Sequence, residues 1–418
     1  MHIVLTNFLY KPHFGGVENS LYHISKVLIE NGHQVSILVS DKGTLLNERL
    51  KDYEVDDGVH IYRYQHHKAR FKIFNSLSVF FNMYRLGKVF KKISTLSEVD
   101  LIISRDYRSS LGLISVAKKN KTAIIYVIPG IVKFQDAASN SVQFSNLKTA
   151  LKAFYNKSIY YGIHSFIQKK AIKKVTLNVL FSENMKMQLS SIMNCDSNFL
   201  QEKIAVIRPG VETERFIKHE NTSFLKNEIG FDEDAFILLC LGRVIPAKGM
   251  DIAIRSMKYI KHPKAKLLIV GGGAGLQDLK NMVKEMEFQH KVVFAGISEE
   301  PEKYYRLADV FLMTSLYEPF GQTILEAMAS GLPVVAFNSY ENPELKTASS
   351  EIIQDGENGF LCSFGAQSLA NKINEISRKE ADSQLGEIGV KAREKVLEDY
   401  SWDSFTAKVL SLVNKSEN

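Results

Sequence analysis

Two cations five positions apart and two carboxylates eight positions apart carry the chemistry this sequence could perform. Arg243 and Lys248 lie in GRVIPAKG, Gly242 to Gly249, directly after an apolar run that reads as a strand. Across one turn they can hold the two phosphates of a diphosphate, the arginine as a bidentate fork and the lysine as a point charge. A basic surface loop is the plainer reading; the glycine at each end and the preceding strand weigh against it. Glu318 and Glu326 bracket a second turn, in EPFGQTILEAMASGLPVVA. There Phe320-Gly321 turn the chain into a helix predicted over Gln322–Ser330, Gly331 and Pro333 end it, and VVAF begins a strand. Gly321, Gln322 and Thr323 thus offer free N–H groups and the positive end of a helix dipole, which suit a phosphate. One glutamate precedes the helix and the other lies on its second turn, so the pair can reach opposite ends of one small ligand. Taken alone, the stretch favours an ordinary amphipathic helix with Glu326 exposed.

The elements that must position these residues form an α/β rhythm repeated in two halves. HIVLTNF reads as a strand, followed by a loop and a helix from about Val17 to Ile29 whose apolar positions Val17, Leu21, Ile24 and Leu28 recur at three and four. Gly15-Gly16 at its start is a possible anion cradle, a weak signal singly because glycine suits any tight turn. VSILVS, VHIYRY, DLIIS, AIIYVI, VTLNVLFS and IAVIRPG continue the first half. FILLCLGRV, KLLIVGGG, VVFAGI, DVFLMTS and PVVAFN make the second, closed by a helix over Tyr400–Val413. Strands alternating with helices imply parallel sheets covered on both faces.

The chain has 418 residues, which suits two domains. Residues 1–208 hold 29 Lys/Arg against 15 Asp/Glu and the remainder 24 against 31, so the halves face different partners and a boundary near Arg208-Pro209-Gly210 is expected. Cys195, Cys240 and Cys362 form no CxxC or Cys/His cluster, which points to a reducing compartment and no structural metal. The N-terminus reads as a strand and not a signal peptide, and no apolar run is long enough to span a membrane. HExxH, GxSxG and GxxxxGK[ST] are absent. GGGAG, Gly271 to Gly275, has the wrong spacing for a dinucleotide fingerprint and reads as a tight turn near a ligand. Asp56-Asp57 and the run Asp232–Asp234 read as solvated turns.

Two acid-free stretches interleave cations with aromatics. The first holds Arg63, Lys68, Arg70, Lys72, Arg85, Lys88, Lys91 and Lys92 with Phe71, Phe74, Phe80, Phe81, Tyr84 and Phe90. The second holds Lys148, Lys152, Lys157, Lys169, Lys170, Lys173 and Lys174 with Phe154, Tyr155, Tyr160, Tyr161 and Phe166. Basic aromatic helices suit an anionic membrane surface. The alternatives are a solvated face with the aromatics in the core, or nucleic acid; two such stretches in one half favour a membrane or an anionic lipid-linked substrate.

GGVE at 15–18, RPGV at 208–211, GRxxxxKG at 242–249, the E-x(7)-E of Glu318 and Glu326, and DGENGFL at 355–361 occur in the order found in retaining GT-B glycosyltransferases of family four. The sequence resembles that family over essentially its whole length, most strongly from Ile204 to Leu361. The resemblance implies an α/β fold of the GT-B type, two Rossmann-like domains with parallel sheets facing across a cleft. The domains would be 1–205, binding the acceptor, and 206–395, binding the nucleotide-sugar, with 396–418 as a helix returning to the first. Carried over by position, Arg243 and Lys248 would clamp the donor diphosphate, Glu326 would bind the ribose hydroxyls and Glu318 the donor sugar. The backbone of Gly321, Gln322 and Thr323 and the Gly15-Gly16 loop would complete the phosphate site. The family implies a nucleotide diphosphate sugar as donor, UDP-sugar first, with no cofactor and no metal. It implies a glycan or lipid-linked acceptor in cell-surface polysaccharide or lipopolysaccharide synthesis; with the basic aromatic stretches and the cysteine usage, the expectation is a cytoplasmic protein peripheral on the inner face of the cell membrane, binding no nucleic acid. In one departure, Pro129-Gly130 stands where family members carry a His-Gly or His-Asp pair, and proline can neither donate a hydrogen bond nor carry a proton. His13, beside GGVE, could supply an imidazole. The alternative is a non-catalytic GT-B partner subunit that binds nucleotide or glycan without turnover.

Overall fold

A computed structural model of the chain describes residues 1–13, 15–44, 48–67, 75–134, 161–193, 197–217, 223–378 and 382–415. Its first half runs β1 (His2–Thr6), α1 (Gly16–Glu30), β2 (Gln34–Ser40), β3 (Tyr53–Asp56), β4 (Val59–Tyr64), α2 (Asn75–Leu96), β5 (Leu101–Ser104), α3 (Tyr107–Asn120), β6 (Ala123–Val127), α4 (Tyr161–Lys174), β7 (Leu177–Leu180), α5 (Glu183–Met193), α6 (Ser197–Glu202) and β8 (Ile204–Val206). The eight strands form one sheet in the order β3-β4-β2-β1-β5-β6-β7-β8. Every pairing is parallel except β3 with β4. Ile3 lies between Val35 and Leu101 at the centre, and β1 and β5 are buried along their whole length. Burial on both faces is why Ile3, Val4 and Leu5 of β1 and Leu101, Ile102 and Ile103 of β5 read as apolar runs. α1 supplies part of one cover, burying Leu21, Ile24 and Leu28 at the predicted spacing.

The second half runs α7 (Ser223–Ile229), β9 (Phe236–Leu241), α8 (Met250–Ser256), β10 (Ala265–Val270), α9 (Leu276–Glu285), β11 (Val292–Gly296), α10 (Pro301–Leu307), β12 (Val310–Met313), β13 (Tyr317–Glu318), α11 (Gln322–Ala329), β14 (Val334–Phe337), β15 (Lys346–Thr347), α12 (Ser349–Ile352), β16 (Phe360–Cys362), α13 (Ala366–Ile376), α14 (Asp382–Asp399) and α15 (Trp402–Lys415). Six strands make a parallel sheet ordered β11-β10-β9-β12-β14-β16, and β13 pairs with β15 alone. In both sheets the strand order reverses beside the first strand of the half, between β1 and β5 and between β9 and β12. Such reversals open a crevice at the carboxyl ends of the strands, where α/β folds bind ligands.

Every strand read from the sequence is present. β3, β13, β15 and β16 were not read: β3 is an edge strand of four residues with none buried, and β13 and β15 have two residues each. The helix predicted to end at Ser330 ends at Ala329, with Ser330 as its cap, and the closing helix starts at Trp402.

The halves are joined twice. Val211 N–H donates to Tyr400 O at 3.1 Å, and Arg208 meets Asp399 at 3.1 Å, so the outgoing connection lies against the returning one. α15 then packs on α1, where the His23 ring stacks on Trp402 with centroids 5.4 Å apart. Phe181, Phe320, Tyr400 and Phe405 join the two apolar interiors through ring contacts of about 6 Å.

Candidate active site

Lys248 ends a short 3-10 turn, Pro246–Lys248, that leaves β9. The turn is fixed against the end of β12: Thr314 Oγ1 donates to Lys248 O at 2.9 Å and Leu316 N–H to Ala247 O at 2.8 Å. Glu318 reaches the same place from β13, which is held by pairing with β15. Lys248 Nζ and Glu318 Oε2 are in direct contact, with both side chains about 15% exposed. The sequence placed one on a phosphate and the other on a sugar; the fold pairs them, because neither charge can lie there uncompensated.

Arg243 is exposed, and none of the described residues forms an ion pair or hydrogen bond with its side chain. It adjoins Lys248 through Gly242, whose position for an added Cβ is 3.9 Å from Lys248 Cε. The GGGAG turn lies beneath these cations. A Cβ on Gly271 would stand 1.9 Å from Gly242 O, and one on Gly273 2.3 Å from Val244 O. These glycines therefore serve close approach of two loops, as the tight-turn reading expected, and Gly271 also has φ +134°.

α11 starts at Gly321, in the left-handed region with φ +106°, with no side-chain cap on its first N–H groups. Gln322 Nε2 donates to Gly210 O at 3.0 Å, tying the helix start to the connection between the halves. Thr323 is half-buried. Glu326 is not the exposed residue of an ordinary amphipathic helix: it is half-buried and accepts from Tyr305 Oη at 2.8 Å. Burial pushes its carboxyl up to about 7, against the Tyr305 hydrogen bond and the nearby Arg215 and Lys248 charges, which favour the ionised form. Lys248, Glu318 and Glu326 thus share one electrostatic neighbourhood around the start of α11.

On the facing wall, Gly15 and Gly16 are exposed at the start of α1. The loop after β6, with Pro129, is held from both sides. Ile131 N–H donates to Tyr317 Oη at 2.7 Å, and Gln168 donates to Gly130 O at 2.8 Å and accepts from Val132 N–H at 3.0 Å. His13 is occupied with Lys42 O at 2.8 Å. Two further contacts bridge the walls: Ser182 donates to Pro319 O at 3.0 Å, and the Glu183 and Asn184 N–H groups at the start of α5 hold the Glu351 carboxylate at 2.9 and 2.6 Å. Sequence reasoning missed Tyr305, Tyr317 and Glu351. Only their neighbourhood hinted at them, since Tyr317 precedes a named glutamate.

Of the basic aromatic stretches, Lys68, Arg70, Lys72, Phe71, Phe74, Lys148, Lys152, Lys157, Phe154, Tyr155 and Tyr160 lie outside the described residues. In the rest, Phe90 is core, whereas Phe80, Phe81, Tyr84 and Phe166 are 44–60% exposed. Lys88 lies over Tyr84 at 4.8 Å, Arg85 over Phe81 at 4.5 Å and Lys170 over Phe166 at 5.7 Å. α2, α3 and α4 enclose an open groove of ≈ 410 Å³ whose lining includes Tyr84, Lys88, Lys91, Lys170 and Lys174. Asp232–Asp234 are exposed as expected, with Asp234 paired to Lys264. Among the described residues no group of three or more His, Cys, Asp or Glu could hold a metal ion, and no helix is long and apolar enough to cross a membrane.

Two α/β units built on parallel sheets, each with a strand-order reversal that opens a crevice, make the GT-B fold. The model of "Glycosyltransferase Family 4" matches residues 14–215 and that of "Glycosyl transferases group 1" residues 221–395. The chain belongs to the group 1 glycosyltransferases of GT-B fold, enzymes that draw on a nucleotide-sugar donor. It is 26% identical to an uncharacterized glycosyltransferase of Methanocaldococcus jannaschii, over 99% of this chain and 97% of that one. It is 25% identical to the alpha-monoglucosyldiacylglycerol synthase of Streptococcus pneumoniae, over 90% of this chain and 78% of that one. The structure of HepE of Anabaena in complex with UDP-glucose superposes with a TM-score of 0.72 at 19% identity, covering 99% of this chain and all of that one.

Proposed function

We propose that this glycosyltransferase retains configuration, takes its sugar from a UDP-sugar and passes it to a glycan or lipid-linked glycan in cell-surface polysaccharide or lipopolysaccharide synthesis. The observation that carries the reading is the contact of Lys248 with Glu318 ahead of α11, with Lys248 also among the charges that act on Glu326. Arg243 and Lys248 take the diphosphate, with the N–H groups of Gly321, Gln322 and Thr323 and the Gly15-Gly16 helix start. Glu326 accepts from the ribose hydroxyls, and Glu318 contacts the donor sugar. Breaking the bond from sugar to diphosphate builds negative charge on the leaving phosphate. Two cations and two helix starts answer that charge without a metal, and the phosphate takes the acceptor's proton on the same face of the sugar. Before donor binds, Glu318 compensates Lys248; when the diphosphate arrives, the ammonium exchanges one anion for another and is never left bare. The division 1–205, 206–395 and 396–418 follows from the same reading.

UDP is favoured by the UDP-glucose complex of HepE, and a lipid-linked acceptor by the relative whose name is that of a diacylglycerol glycolipid synthase. The exposed aromatics and lysines of α2 and α4 support a place on the inner face of the cell membrane, each nearby cation contributing about 1 kcal/mol on an anionic surface. Incubation with a panel of nucleotide-sugars, with and without lipid-linked acceptors, tests the activity; a purified protein that releases UDP from none of them refutes it and leaves the non-catalytic partner. Flotation with vesicles containing anionic lipid tests the membrane face. Replacing Lys88, Lys91, Lys170 and Lys174 by Glu should abolish flotation, and undiminished binding refutes this surface.

A further inference from the structure

At the strand-order reversal of the first half lies a cation that none of the motifs names. Arg105 follows β5 directly, at the strand-order reversal between β5 and β1, where its N–H donates to Thr6 O at 2.8 Å. It is 3% exposed, and its Nε and Nη1 are buried without a hydrogen-bond partner. Its Cζ lies over the Phe181 ring at 4.8 Å, and Phe181 meets Phe320, the residue before the Gly321 helix start, at 6.0 Å. The only carboxylate among the groups that act on it is Glu18, which forms no ion pair with it among the described residues. Glu18 lies in the first turn of α1, its carboxylate folded back over Gly15 and bonded by Asn7 Nδ2 at 3.3 Å. Burial pulls the guanidinium down to about 10.

A buried guanidinium is normally matched by a carboxylate, because removing a charge from water without a partner is costly. Arg105 has a ring on one face and vacant donors on its edge, beside the exposed start of α1. We propose that Arg105 binds a phosphate oxyanion of a substrate, held between the start of α1 and the start of α11. This rests on the transferase reading above and adds a residue from the first half of the chain to the phosphate site. The oxyanion belongs either to the second phosphate of the donor or to a phosphate carried by the acceptor. Both have the planar pair of oxygens that a guanidinium edge grips bidentately.

Calorimetric titration of wild type and Arg105→Met with UDP and UMP, and with inorganic phosphate added to the UDP-saturated proteins, separates the sources. If the donor's second phosphate is bound, Arg105→Met weakens UDP at least tenfold and changes UMP less than twofold. If the phosphate is the acceptor's, UDP affinity holds while the phosphate binding seen in wild type disappears. Arg105→Lys should recover part of the lost affinity, since it restores charge but not the fork. A folded Arg105→Met that binds UDP and phosphate as wild type does overturns the proposal. So does a wild type that neither prefers UDP to UMP nor binds phosphate, a measurement that needs no variant. Should wild type bind no uridine nucleotide, the choice of UDP fails, while phosphate titrated into the free protein still decides the role of Arg105.

Discussion

Replacing Glu326 by Gln should make the protein more stable above neutral pH and less able to hold a nucleotide there. The carboxyl rises from 4.5 to about 7 because it is buried, so the folded chain holds a proton that the unfolded chain has released. The sign follows from that difference. Below pH 4.5 both states are protonated and no penalty exists; as pH climbs to 7 the folded chain binds more protons and loses stability; above 7 the full penalty stands. Its size is about 3 kcal/mol at pH 8, from about 1.4 kcal/mol for each tenfold displacement of the equilibrium. Gln keeps an acceptor for Tyr305 Oη and removes the charge. The melting temperature of Glu326→Gln should therefore match wild type near pH 4.5 and exceed it progressively up to pH 8. The carboxylate is retained, in this reading, because the ionised form accepts from two ribose hydroxyls at once. UDP affinity relative to the Gln variant should then rise about tenfold from pH 6 to pH 8, following the ionised fraction of a group of pKa about 7. A stability difference flat across this range would refute the burial argument, and a flat affinity ratio would refute the ribose contact.

Lys248→Met should lower kcat/KM by about 2–4 kcal/mol of transition-state stabilisation, roughly 30- to 1000-fold, read from initial rates. It should also lower the melting temperature by leaving Glu318 unpaired, and the Lys248→Met/Glu318→Gln double variant should regain that stability without regaining activity. Arg243→Ala should leave stability within about 0.5 kcal/mol, since its side chain is exposed and unpaired among the described residues, while weakening UDP about tenfold in a calorimetric titration. Gly271→Ala places a methyl 1.9 Å from Gly242 O; forcing the loops apart should cost about 1–3 kcal/mol in chemical denaturation and displace Arg243 from the diphosphate, seen as weaker UDP binding.

The sheets were legible because a strand buried on both faces must be a continuous apolar run, as β12 and β14 are. The edge strand β3 was not, since YEVD alternates exposed and half-buried residues and carries two acids. Gly321 and the helix after it were readable as a turn with a bare start, because glycine and cap signals act over a few residues. What spans the fold was not readable. Tyr305 and Glu326 are 21 positions apart, Lys248 and Glu318 70, and Ile131 and Tyr317 186. Nothing in a local window tells that such residues meet. Arg105 illustrates the same limit: in DLIISRDYRSS it looks like one of many surface cations, and only the packing of Phe181 and the end of β1 around it reveals that it is buried.

The contact of Val211 with Tyr400 has a mechanical consequence. Two covalent threads passing side by side between the lobes act as the spine of a book. Opening the covers about that line would break the contacts of Ser182 with Pro319, Ile131 with Tyr317 and the α5 start with Glu351, while the two threads stay paired. Gly210 on the spine accepts from Gln322, so the start of α11 is fastened to the line on which the covers would turn.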